Sequence, residues 1–106
     1  MVIDWEAFPG ADFGYAVEVI DVYGSLAWGG FQDAATPDFV IDSGTTSVEY
    51  GEETWGGEQA APLVAGRFYR ARVYALGTDG DAPGGFRILS VSEEKQGRFR
   101  RARPGG

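Results

Sequence analysis

Alternation of apolar and polar side chains, the mark of half-buried strands, runs through most of the chain. In 15-YAVEVIDVY-23, Tyr15, Val17, Val19 and Tyr23 share one face, interrupted by Asp21, while Ala16, Glu18, Ile20 and Val22 share the other. Gly24 ends that strand, and 25-SLAWGGF-31 follows as a hairpin partner or bent continuation. The longest strand is 67-RFYRARVYAL-76, with Tyr69, Ala71, Val73 and Ala75 on one face and Phe68, Arg70, Arg72, Tyr74 and Leu76 on the other. In 86-FRILSVS-92, Phe86, Ile88, Ser90 and Ser92 alternate against Arg87, Leu89 and Val91. Residues 39–41 and 46–50 read as two short strands joined by a turn at Asp42, Ser43, Gly44 and Thr45. Residues 32–38 (with Pro37), 51–62 and 77–85 read as loops, and 97-GRFRRA-102 as an edge strand or tail.

No segment sustains a helical period, and the 17 glycines cut every candidate helix short. Seven or eight short strands with turns at roughly 8–12-residue spacing predict an all-β fold, an antiparallel β-sandwich. One domain is expected over residues 1–96, with 97–106 as a basic edge strand or flexible tail.

Composition narrows the chemistry. There is no cysteine and no histidine, which removes disulfides, thiolate nucleophiles, Ser-His-Asp and Cys-His catalysis and the usual zinc sites. Catalysis would have to run on carboxylates, hydroxyls, arginines or Lys95, and no cofactor is implied. The start, MVIDWEAFPG, lacks the basic and apolar regions of a signal peptide, and no window is apolar enough for a membrane span. A soluble, cytoplasmic protein is the expectation.

Charge is divided along the chain. Residues 1–66 hold twelve carboxylates and no base; the rest holds nine bases and four carboxylates, so the formal net charge of −7 splits into −12 and +5. Such a split either sets opposite charges across paired strands or makes an acidic face for a basic partner. The loop 51-GEETWGGEQ-59 is the acidic centre, and Trp55 is its only large apolar residue. Trp55 is either a plug over the core or an interface anchor; Trp5, Tyr15, Tyr23 and Tyr74 are assigned to the core. The basic run 98-RFRRAR-103 could touch phosphates. The acidic remainder, acting over a Debye length of about 10 Å, argues against nucleic acid as the main ligand. The same run could join copies of the chain into a homo-oligomer.

Three motifs bear on catalysis or metal binding. The stretch 38-DFVIDSGTTSVEY-50 resembles the catalytic loop of retropepsin-like aspartic proteases at Val40, Ile41, Asp42, Ser43, Gly44 and Thr45. One such motif implies a dimer, since the chemistry needs two aspartates sharing a proton. The helix expected after a second apolar-apolar-Gly element follows neither 64-VAG-66 nor 75-ALG-77, and Asp, Ser and Gly are also what a tight turn requires. Asp79 and Asp81 around Gly80, and the run Glu49, Glu52, Glu53, Glu58, offer oxygen donors, but neither follows a calcium-loop pattern. They are read as a turn and a solvated loop. No carboxylate spacing singles out a glycosidase pair.

The segment 66-GRFYRARVYALGTDGDAPGGFRILSVS-92, preceded by 22-VYGSLAWGGF-31, resembles in pattern and order the competence protein J type of nuclease inhibitor, a small bacterial β-sandwich. The resemblance implies a protein that binds and blocks a nuclease or toxin. The expectation is therefore a non-enzymatic acidic binding protein, an inhibitor or immunity-type protein for a protein partner with a basic surface. Its contact residues would be Asp33, Asp38, Glu49, Glu52, Glu53, Trp55 and Glu58. The alternatives are a structural or assembly subunit, as in a phage or secretion particle, and a dimeric aspartic protease using Asp42.

Overall fold

Two long strands organise the molecule, and both are those with the clearest alternation. The computed structural model describes residues 2–93; the tail expected at 97–106 lies outside the described residues. The strands are β1 (Val2–Asp4), β2 (Gly14–Asp21), β3 (Leu26–Gly29), β4 (Phe31–Asp33), β5 (Thr36–Pro37), β6 (Ser47–Glu49), β7 (Tyr69–Thr78) and β8 (Phe86–Glu93). The only helical elements among the described residues are two 3-10 turns, Glu53–Trp55 and Gly57–Gln59. Every pairing is antiparallel. A four-stranded sheet in the order β3-β2-β7-β8 forms one layer, and the β1-β6 pair lies in a second. The fold is an all-β antiparallel sandwich.

The register of β2 against β7 sets Val17 opposite Val73, Tyr15 opposite Ala75 and Val19 opposite Ala71. These side chains form the covered face, as their alternation predicts, and they pack with Ile3 and Val48 from the second layer into the main core. Each strand of the β1-β6 pair buries its central residue, Ile3 or Val48, between two exposed ones. A second cluster of Ala16, Leu76 and Phe86 lies on the other sheet face, covered by Phe13 and by Phe31 from the β4-β5 hairpin. Gly29 is fixed by geometry: its φ is +75°, and a Cβ there would overlap the Val17 carbonyl oxygen.

Four details depart from the sequence reading. The strand over 46–50 does not return against 39–41; it pairs with β1, which the sequence reading did not assign, while Ile41 bridges Tyr15 through two 2.8 Å backbone bonds. The loop at 32–38 contains the β4-β5 pairing. Val22 and Tyr23 leave β2 for a turn in which Asp21 Oδ1 accepts the Tyr23 and Ser25 N–H groups, so Tyr23 is 76% exposed rather than core. In β8 a register shift opposite Ala75 and Leu76 breaks the alternation. Ile88 pairs with Leu76, while Ser90 and Ser92 pair with Ala75 and Val73. Phe86 and Ile88 therefore share the outer face with Leu76, and the two serines turn to the covered face.

Candidate functional site

The acidic first part of the chain supplies the layer that covers the sheet. Residues 2–12 and 38–66 form that layer, and they contain carboxylates but no Lys or Arg. Asp4, Glu6, Asp12, Asp42, Glu49 and Glu53 are all exposed there. The described arginines, Arg67, Arg70, Arg72 and Arg87, belong to β7, its approach and β8. Cross-strand neutralisation also occurs. Glu18 faces Arg72 in register, and their side chains meet at 3.0 Å. The Tyr74 hydroxyl donates to the same Glu18 oxygen at 3.1 Å. Burial and the neighbouring Glu18 charge raise the Tyr74 pKa.

The seven residues expected to contact a partner divide into groups. Glu49, Glu52 and Glu53 lie together where β6 runs into the first 3-10 turn. There the Glu52 carboxylate accepts the Glu49 N–H (3.0 Å), and the Glu52 N–H donates to the Glu49 carbonyl (3.0 Å). Glu58 lies in the second turn. Trp55 is half-buried and packs on the main core, so it acts as the plug that braces this loop. Asp38 adjoins the same region: the next residue, Phe39, packs on Trp28 with ring centroids 5.0 Å apart, and the Trp28 Nε1–H donates to Gly56 O at 3.2 Å. Asp33 sits apart, on the β4-β5 hairpin that covers the second cluster, where its Oδ1 accepts the Ala35 N–H at 2.8 Å.

The catalytic and metal motifs resolve into turns. Asp42 Oδ2 accepts the Gly44 N–H (3.2 Å), and Oδ1 accepts the Thr45 hydroxyl (2.8 Å). Residues 75–77 are strand rather than the start of a helix. Asp79 Oδ1 accepts the Asp81 N–H (3.0 Å) within the β7-β8 turn. Among the described residues no three carboxylates are placed to hold a metal ion. Asp12 is held by the Thr78 N–H at 2.8 Å, which keeps its pKa below the usual carboxylate range.

Two surface features were not assigned from sequence. The first is a groove of about 930 Å³ on the covered side of β7 and β8. Its floor is Ala71, Val73, Ser90 and Ser92, and its walls are the arm from Ile3 to Pro9 and the start of β6 at Thr46 and Ser47. It exists because the covering layer meets small side chains there. The serines reach it through the β8 register shift, which strict alternation cannot reveal. The second is an apolar end made by Val22, Tyr23, Val64 and Phe68, with Arg67 over the Tyr23 ring at 5.4 Å. Comparison with family models, with curated proteins and with solved structures finds no match.

Proposed function

We propose that this chain is a non-enzymatic acidic binding protein that occupies a basic site on a protein partner, such as a nuclease or toxin presents. The observation that carries the reading is the covering layer, whose sequence contains carboxylates and no base and whose acidic loop is braced from beneath by Trp55. A carboxylate surface of this kind steers a cationic partner and stands in for a phosphate backbone. Glu49, Glu52, Glu53 and Glu58 form the centre of the contact, with Asp38 beside it and Asp33 at its margin. The resemblance of 22–31 and 66–92 to competence protein J-type inhibitors points to the same class of partner.

The test is partner capture from the native host followed by binding kinetics. Glu53 is the cleaner position, because it is exposed, whereas the Glu52 carboxylate also holds the Glu49 N–H. Glu53→Lys should weaken the complex about tenfold, chiefly through the association rate, and flatten its salt dependence. A complex indifferent to Glu52→Lys, to Glu53→Lys and to salt would overturn the reading.

A further inference from the structure

The groove over β7 and β8 has a chemistry of its own, separate from the acidic loop. Among the described residues its lining includes Asp4 and Glu6 and no Lys or Arg, which disfavours a phosphate or carboxylate ligand. Trp5 and Phe8 line it as well, and aromatic rings in an acidic groove suit a guanidinium or ammonium group. Thr46, Ser47, Ser90 and Ser92 bring hydroxyls able both to donate and to accept.

Trp5 supplies an independent observation. Its Nε1 is buried and makes no hydrogen bond, alone in this among the buried side-chain nitrogens and oxygens of the described residues. Trp5 lines the groove and also a smaller space of about 30 Å³ beneath it, shared with Tyr15 and Ser90. That nitrogen is closed to solvent, so what Trp5 offers a ligand is its ring. The same fold satisfies its other buried indole with a backbone carbonyl, Gly56 O on Trp28.

We infer that this groove binds an extended peptide segment carrying arginine or lysine. The cationic side chains lie against Asp4, Glu6 and the aromatic rings. Charge complementarity selects this occupant over a neutral sugar, because the groove opens through a layer whose sequence has no base. The inference does not require the acidic loop to be a contact surface, and a partner could engage either site alone.

The test uses the full chain, labelled with nitrogen-15. Its three tryptophans give three indole N–H resonances, with Trp5 assigned through Trp5→Phe. The probe is a synthetic peptide of alternating alanine and arginine; the controls are its citrulline counterpart and cellohexaose. The peptide should move the Trp5 resonance more than those of Trp28 and Trp55. Citrulline, or Asp4→Asn with Glu6→Gln in the protein, should each weaken binding about tenfold. Glu53→Lys should change it by less than about threefold, since Glu53 is an exposed residue outside the groove's lining. The inference is overturned if the Trp5 resonance stays still, if citrulline binds as well as arginine, or if cellohexaose alone moves it. Peptide binding lost with Glu53→Lys but kept with the Asp4 and Glu6 changes would remove the groove and leave the acidic loop as the contact surface.

Discussion

The covered sheet face differs between its β2-β3 side and its β7-β8 side, although one layer lies over both. On the first side Trp28 is 2% exposed and is enclosed by Phe39 and by Tyr50, whose ring centroids lie 5.0 and 5.2 Å away. Its indole N–H is bonded. On the second side the described residues leave a groove above Ala71, Ser90 and Ser92, and among them Trp5 keeps an unbonded N–H. Strand alternation is the same on both sides; side-chain size decides which is sealed. Close packing gives the sealed side its stability, and the open side lacks that packing.

The sharpest way to break this contrast is Trp28→Ala. The substitution removes the largest fully buried side chain and its bond to Gly56, and it leaves Phe39 and Tyr50 facing a cavity. Unfolding by urea should show a loss of about 3–5 kcal/mol. A loss below about 1.5 kcal/mol would mean that the layer collapses to fill the space and that this side is not rigidly sealed.

That asymmetry was legible from sequence only in part. β2 and β7 were readable because eight and ten residues give alternation room to repeat, and their inward faces came out as expected. β1 was missed because a three-residue strand with one inward residue, Ile3, has no period to detect. The partner of β6 was misassigned for a related reason: nearness along the chain favoured 39–41, while a long-range match of two single buried residues, Ile3 and Val48, decided the pairing. The shift in β8 moved Ser90 and Ser92 across the sheet, and no composition rule signals such a bulge. The acidic loop was visible because charge is a property of residues. The groove was not, because it is a deficit of volume shared by four separate segments.

A second test lies at the rim of the sealed side. The Tyr50 hydroxyl is 2.6 Å from the Ala61 carbonyl and 3.0 Å from that of Ala27, so it ties the loop to β3. Tyr50→Phe should cost about 1 kcal/mol at neutral pH, the usual net value of such a bond. Burial, with a smaller contribution from Tyr69, pushes the phenol up from 10.0 to about 12. The folded state therefore favours the neutral phenol. Its contribution is complete below pH 10.0 and is lost as the pH rises towards about 12. Melting temperatures followed through that window should fall more steeply for the wild type than for Tyr50→Phe. Parallel curves would show that the hydroxyl is not held as the geometry indicates.

The smallest effect is expected on the open side, from Trp5→Phe. The phenyl ring keeps the packing on Tyr15, whose ring centroid is 5.4 Å from that of Trp5. Part of the indole that is lost borders the groove, where space already exists. Against that lost contact stands the removal of a buried donor that has no acceptor. These two contributions oppose each other, so the unfolding free energy should stay within about 0.5 kcal/mol of the wild type. The matched change Trp28→Phe removes a donor that is bonded and should cost at least about 1 kcal/mol more than Trp5→Phe. Equal losses at the two positions would mean that both indoles are sealed alike. A neutral Trp5→Phe beside a costly Trp28→Phe would show that the fold does not need the Trp5 nitrogen.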